Sequence, residues 1–299
     1  MFREEQHDTP LGSLNVAIGP NHGPPLVCLH GVTRRWQCLL PVMETLANRW
    51  HVHGVDMPGH GGSRAHCEPF TVLRYADALQ GWLTSRFAEP VVLYGHSLGA
   101  MVAADLAGRE PASVAAVILE DPPFHTMGER IGDTPLLSYF SGVAEYVANK
   151  PADAGSGGRR LSRLGITDPH TGSVTRLGET RSQAALRFMA SCLADVAPAV
   201  LSPIVAQQWL DGYDVSQVAR RLQAPTLLIQ ADTRQGGMLT DDDATLFIGH
   251  TTDVIRVRQP GVGHQMHWAD PGWLTREATL FLESLPHDSF RPTSERPSP

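Results

Sequence analysis

The segment Gly95-His96-Ser97-Leu98-Gly99 has residue types and spacing suited to nucleophilic chemistry. It follows the apolar run VVLY at 91–94 directly and opens an Ala-rich stretch, so it reads as a sharp turn between a strand and a helix. The flanking glycines let the chain turn tightly while Ser97 takes a strained conformation that presents its hydroxyl. A serine so placed can attack an acyl carbon, and the tetrahedral oxyanion that forms needs backbone donors aimed at it. The N–H of Leu98, at the start of the new helix, is one such donor.

Elements able to hold this turn are legible on both sides of it. Short runs rich in Val, Leu and Ile at 25–29, 52–55, 91–94, 114–119, 225–229 and 253–257, each bounded by Gly, Pro or polar residues, predict central strands. Segments of helical period at 36–48, 70–87, 98–109 and 271–284 alternate with them, as a parallel sheet covered on both faces requires. The expected fold class is therefore α/β, a mostly parallel central sheet flanked by helices.

The alternation stops between about 122 and 222. There a Gly- and Arg-rich stretch, Ala154-Gly155-Ser156-Gly157-Gly158, precedes helical segments near 178–196 and 203–210, and no strong strand run occurs. The expected organisation is a core of 1–121 and 222–285 with a helical cap of 122–221. From 286 onward the sequence PHDSFRPTSERPSP is rich in Pro, Ser and charge, and it predicts a disordered tail over 286–299.

Two further motifs accompany the serine. Leu29-His30-Gly31 ends the first strand run, and Asp56-Met57-Pro58-Gly59-His60-Gly61-Gly62-Ser63 follows the second. In this order and spacing the three motifs resemble the α/β-hydrolase family over roughly 12–121 and 222–285, with little likeness in the insertion. The resemblance implies an α/β-hydrolase fold with a helical cap, of serine esterase or lactonase type. It also implies that His264, in Gly261-Val262-Gly263-His264 after the final strand, is the general base, with His267 three residues on as its competitor. The second oxyanion donor is implied to be the N–H of Val32, with Thr33 as the alternative.

The acid that would orient the base has three candidates. The family usually carries it after the seventh sheet strand, where this chain reads Leu228-Ile229-Gln230-Ala231-Asp232-Thr233-Arg234 and places Arg234 at the customary Asp. A second arrangement, similar to that of haloalkane dehalogenases and zearalenone lactonases, puts the acid after the preceding strand. There Glu120-Asp121-Pro122-Pro123 offers Asp121, 24 residues beyond Ser97. Asp121 is preferred, with Asp232 and Glu120 as alternatives. Its task would be to hold the His264 tautomer and stabilise the imidazolium.

A serine nucleophile excludes the dehalogenase and epoxide-hydrolase chemistries in which a carboxylate attacks carbon, leaving ester or lactone hydrolysis as the expectation. Phe124, Leu136, Tyr139, Phe140, Tyr146, Phe188, Met189 and Trp209 of the cap suggest a hydrophobic substrate. C–C bond hydrolysis of a diketone uses the same side chains, and Arg130, Arg181 and Arg187 would suit its acidic substrate. A non-catalytic small-ligand receptor on the same fold is a third class.

Composition narrows the partners. With 299 residues, 42% hydrophobic and 18% charged, the chain can bury a sizeable core. Its net charge of −7 comes without a basic stripe or acidic block, so neither nucleic acid nor an anionic membrane is expected, and a neutral small molecule fits better. No run of about 18 apolar residues occurs, and Met1-Phe2-Arg3-Glu4-Glu5-Gln6 lacks the order of a secretory signal, so a soluble cytoplasmic protein is expected. Cys28, Cys38, Cys67 and Cys192 lack disulfide or C-x-x-C spacing and are expected to be reduced. His30, His60 and His96 have no zinc spacing and predict structural roles; no metal or cofactor is expected.

Overall fold

The computed structural model describes residues 1–291. Its strands are β1 (Arg3–Thr9), β2 (Gly12–Ile18), β3 (Pro25–Leu29), β4 (His51–Val55), β5 (Val91–His96), β6 (Val114–Glu120), β7 (Gly165–Thr167), β8 (Val174–Arg176), β9 (Thr226–Ala231) and β10 (Val254–Gln259). Eight of them form one sheet in the order β1-β2-β4-β3-β5-β6-β9-β10. It is parallel from β4 to β10, and β1 and β2 add an antiparallel edge. The fold is the mostly parallel α/β sheet expected from the alternation.

Strands β3, β5, β6 and β9 are buried at every position, which explains their unbroken apolar runs. Their side chains alternate between two cores. Val27, Leu29, Leu93, Val117 and Leu119 pack on the face covered by helices Val72–Arg86 and Leu98–Arg109. Leu26, Cys28, Val92, Tyr94 and Ile118 pack on the face covered by helices Leu40–Leu46 and Pro271–Glu283.

Both sheet edges differ from expectation. β10, read among the central strands, is an edge strand, and its Arg256 and Arg258 reach out to Gln230 and Asp241. At the other edge, β1 (REEQHDT) has no apolar run to announce it. A charged outer strand suits an edge that must not pair further.

The insertion is mostly helical, with helices Pro135–Ala148, Ala154–Leu161 and Gln183–Ala194, but β7 and β8 add a small antiparallel hairpin. The glycines of Ala154–Leu161 lie inside a helix rather than a loop. A Cβ on Gly157 would stand 2.8 Å from the Ala190 side chain and one on Gly158 3.2 Å from the Arg187 backbone, so their absence lets two helices meet closely. Helix Val215–Arg221, read as the end of the insertion, returns to pack on the core helix Leu98–Arg109, where the Tyr213 hydroxyl donates to Met101 O at 3.0 Å.

The expected disordered tail is corrected at its start. Residues His287–Phe290 form a 3₁₀ turn, and the Phe290 ring stands 5.3 Å from that of Trp50, an aromatic contact that offsets ordering entropy. The rest of that prediction, 292–299, lies outside the described residues. All four cysteines are buried and free. Among the described residues no single helix is long and apolar enough to cross a membrane.

Candidate active site

Sheet order brings the chemical residues together. The chain runs outward from β3 to β4, then crosses back to lay β5 on the other side of β3, so a crevice opens where the loops leaving β3 and β5 diverge. Leu29 is paired with Gly95 and His96 with Glu120. The residues just beyond these pairs, Gly31–Arg34, Ser97 and Asp121, therefore emerge as neighbours at one end of the sheet.

Ser97 has φ +55° and ψ −115°, a strained conformation for a non-glycine residue. The turn is possible because a Cβ on Gly95 would lie 2.2 Å from Gly99 O, and one on Gly99 2.0 Å from Leu29 O. The Ser97 N–H donates to Glu120 O at 3.0 Å, tying the turn to β6. At 4% exposure Ser97 lies under the cap, in a cavity of about 50 Å³ that it shares with His264, Tyr139 and Phe140.

Of the three carboxylates weighed from sequence, Asp121 is the one that reaches His264. Its Oδ2 accepts from His264 Nδ1 at 2.6 Å. Backbone N–H groups of Met238 (2.8 Å), Ala231 (3.2 Å) and Leu239 (3.2 Å) also donate to Asp121, which is fully buried. These donors fix the carboxylate in position. With Nδ1–H committed to Asp121, His264 keeps Nε2 as its basic nitrogen.

Asp232 and Glu120 do other work. Asp232 pairs with Arg234 at 2.9 Å and accepts from Gly261 N at 3.0 Å, while its own N–H donates to Val262 O at 2.8 Å. It thus pins the loop that carries His264, and its hydrogen bonds to Arg234 and Gly261 hold its carboxyl well below the usual range. Glu120 accepts from the Tyr94 hydroxyl and from His267 N (3.0 Å) and Nδ1 (2.8 Å), so His267 is bound away from the serine.

Four groups hold the loop after β3 and its neighbours. His30 Nδ1–H donates to Gly31 O at 2.8 Å while its Nε2 accepts from Met57 N at 3.0 Å. His60 Nδ1–H donates to Pro58 O at 3.0 Å and its Nε2 accepts from Thr33 N at 3.1 Å. Both rings must be neutral for this, and burial pushes their pKa down to about 4 and about 3 respectively. His96, held well below the usual histidine range by burial and by His267 and His264, donates Nε2–H to His264 O at 2.9 Å. Asp56 accepts from Trp36 N and Gly62 N, both at 2.8 Å.

The Thr33–His60 bond corrects the oxyanion alternatives. With its N–H committed, Thr33 cannot donate to a substrate oxygen. Among the described residues the N–H groups of Val32 and Leu98 have no protein acceptor.

His96, Glu120 and His267 also come close enough for their ligating atoms to lie within 4.8 Å of one another. The carboxylate is already taken by three donors, and the chemistry of the set is that of a hydrogen-bonded network beneath the His264 loop.

The cap residues divide in two. Tyr139, Phe140, Phe188 and Met189 line the cavities. Phe124, Tyr146 and Trp209 are buried in the packing instead, and Leu136 is partly buried against the same core. Arg130 is ion-paired with Asp243, Arg187 is exposed, and Arg181 alone of the three faces the cavity of Ser97. Arg34 lines it too. Its sequence signal is its place three residues after Gly31, on the very loop that carries Val32.

A sequence profile of the alpha/beta hydrolase fold matches residues 24–271, and the chain belongs to that family. A stretch of 98 residues is 39% identical to the pimeloyl-[acyl-carrier protein] methyl ester esterase of Chromobacterium violaceum, covering 32% of this chain and 36% of that protein. Another, of 116 residues, is 34% identical to lipase LipV of Mycobacterium tuberculosis, covering 38% and 42%. The match thus spans less than half the length of these curated relatives.

Among solved structures, E-2-(acetamidomethylene)succinate hydrolase is similar with a TM-score of 0.72 and 19% identity over 95% of this chain and 100% of that one. The enol-lactonase from Burkholderia xenovorans gives 0.69 and 16% over 94% and 100%. At these identities the likeness is one of fold.

Proposed function

We propose that the protein is a serine hydrolase that cleaves a carboxylic ester or lactone of a small molecule through an acyl-enzyme on Ser97. The observation that carries this reading is the 2.6 Å bond from His264 Nδ1 to a buried, backbone-held Asp121, in one cavity with a serine at φ +55°. A base oriented in this way argues against a non-catalytic ligand receptor.

In the proposed reaction Ser97 Oγ attacks the acyl carbon as His264 Nε2 takes its proton. The imidazolium is stabilised by the Asp121 carboxylate. The N–H groups of Val32 and Leu98 receive the oxyanion, a contribution of about 3 kcal/mol per donor in comparable sites. His264 then protonates the leaving oxygen, and water activated by the same imidazole releases the acid. The scheme calls on no metal or cofactor. The named activities of an esterase, a lipase and an enol-lactonase among the similar proteins support acyl-oxygen cleavage as its class.

The test is hydrolysis of p-nitrophenyl esters from acetate to octanoate, and of aliphatic and aromatic lactones, by the wild type and Ser97→Ala, with fluorophosphonate labelling of Ser97. Ser97-dependent turnover is expected. Absence of turnover and labelling would overturn the reading in favour of a ligand receptor; labelling with no ester or lactone turned over would point to C–C cleavage.

A further inference from the structure

The cavity above Ser97 adjoins a larger one of about 420 Å³, and Arg34, Arg181 and Gln265 belong to the walls of both. Beyond them the larger cavity is apolar, with Phe188, Met189 and Trp268. A substrate whose acyl carbon reaches Ser97 and whose remainder fills the larger cavity lies against Arg34 and Arg181, which line both.

Those two arginines lack the partners that others in this chain have. Arg109, Arg130, Arg234 and Arg256 each meet an aspartate. Among the described residues no carboxylate lies within salt-bridge distance of Arg34 or Arg181, although the chain has 31 acids against 24 lysines and arginines. Their hydrogen bonds to Thr33 and Gln265 are long, Arg34 Nη1 to Thr33 O and Oγ1 at 3.4 and 3.3 Å and Arg181 Nη1 to Gln265 Oε1 at 3.5 Å, and Arg34 also bonds the Tyr139 side chain.

Arg34 is 9% exposed and stands next to Thr33, a β-branched residue held at φ +67°. A strained loop therefore holds a covered charge at the cavity wall. Burial lowers the pKa of Arg181, Tyr139 opposes this and the charge of Arg34 adds to it, whereas for Arg34 burial is outweighed by Tyr139, Cys38 and Cys192, which raise its pKa. An anion placed between them would relieve this repulsion and complete the donors' hydrogen bonds.

We propose that Arg34 and Arg181 form a subsite for a carboxylate carried by the substrate, remote from the carbonyl that Ser97 attacks. The substrate class is an ester or lactone of a dicarboxylic acid or similar oxo-acid, with an apolar segment against Phe188, Met189 and Trp268. The planar, bidentate fork of guanidinium matches a carboxylate. This inference rests on the hydrolase reading for its chemistry, but the subsite can be tested without turnover.

The experiment compares the mono-p-nitrophenyl ester of adipic acid with that of its carboxamide isostere, adipamic acid, in the wild type, Arg34→Gln, Arg181→Gln, Arg181→Lys and Arg187→Gln. Wild type is expected to prefer the carboxylate by about 10- to 100-fold in kcat/KM, the worth of one or two charge-assisted hydrogen bonds. The ratio should fall towards one in both Gln variants and partly recover in Arg181→Lys. It should persist in Arg187→Gln, whose arginine is exposed and outside both cavities. Because each ratio is taken within one variant, a loss of folded protein does not imitate the result.

In parallel, calorimetry measures adipanilic acid against its neutral carboxamide on Ser97→Ala, with and without Arg181→Gln. If no ester is cleaved but Arg181-dependent preference for the acid is seen, the hydrolase reading fails and the subsite stands. If esters are cleaved with no preference for the carboxylate, or with a preference that survives both Gln variants, the subsite is overturned and the hydrolase reading stands.

Discussion

Asp121 and His264, 143 residues apart in sequence, meet through a 2.6 Å hydrogen bond, and the aspartate that makes it has φ +45°. The left-handed turn places the carboxylate under the N–H groups of Met238 and Leu239, on the segment that follows β9. The segment that carries the acid in the more usual arrangement of this family here supplies donors to Asp121, just beyond β6.

Replacing Asp121 by Asn removes the acceptor that selects the Nδ1–H tautomer. The kcat for any Ser97-dependent substrate should drop by about 10³- to 10⁴-fold with little change in KM. Asp232→Asn keeps an acceptor for Gly261 N and should cost less than about tenfold. Steady-state kinetics of the two variants decide the matter, and equal losses would return Asp232 to consideration.

The sequence disclosed those parts of this site that are local. The Ser97 turn is written in five consecutive residues because its glycines are required by contacts within the turn and with β3. The strands β3, β5, β6 and β9 announce themselves because burial on both faces demands unbroken apolar runs. The choice among Asp121, Asp232 and Glu120 needed tertiary geometry, since all three lie at the ends of β-strands of one sheet and each has a partner. Arg34 had only its place on the Gly31–Val32 loop to mark it: an arginine in a loop reads as solvated until its covering and its lack of an acid are seen. The strand β1 stayed hidden because a charged edge has no apolar period.

Glu120 ties Tyr94 to His267 from a fully buried position. Glu120→Leu would leave the Tyr94 hydroxyl and two His267 donors without an acceptor, a loss of about 3 kcal/mol or more. Glu120→Gln keeps one carbonyl oxygen and should lose less. Urea unfolding of both, set beside their kcat values, tests this. A Leu variant as stable as wild type would show that the network does not hold the fold, and a Gln variant as inactive as Asp121→Asn would give Glu120 a part in orienting the base.

Gly99 and Gly81 should respond to alanine in opposite directions. A Cβ on Gly99 would stand 2.0 Å from the backbone oxygen of Leu29, which cannot move without breaking β3, so Gly99→Ala should unfold or severely destabilise the protein. Gly81 lies in helix Val72–Arg86 with nothing within 4 Å of a new Cβ, and Gly81→Ala should add about 0.5–1 kcal/mol. Thermal melts of the two variants read both signs; a stable, active Gly99→Ala protein would refute the steric account of the turn.

Stability should fall with acidification well before the carboxylates titrate. His30, His53 and His60 are buried, and burial lowers their pKa to about 4, about 3 and about 3. Among the described residues neither ring nitrogen of His53 has a hydrogen-bond partner, and repulsion from His51, Arg86 and His7 adds to the desolvation that disfavours its charged form. Below the ordinary histidine pKa of about 6.5 the unfolded chain takes up protons that the folded chain refuses, and each such proton destabilises the fold by about 1.4 kcal/mol per pH unit. The effect is absent above about pH 7, grows as pH falls towards 4, and levels off once the folded histidines protonate. Urea unfolding at intervals from pH 7.5 to 4.5 should show this slope, and His53→Leu should make it shallower by the share of one proton. A profile flat to pH 5 in the wild type would mean that these rings reach water in the folded state.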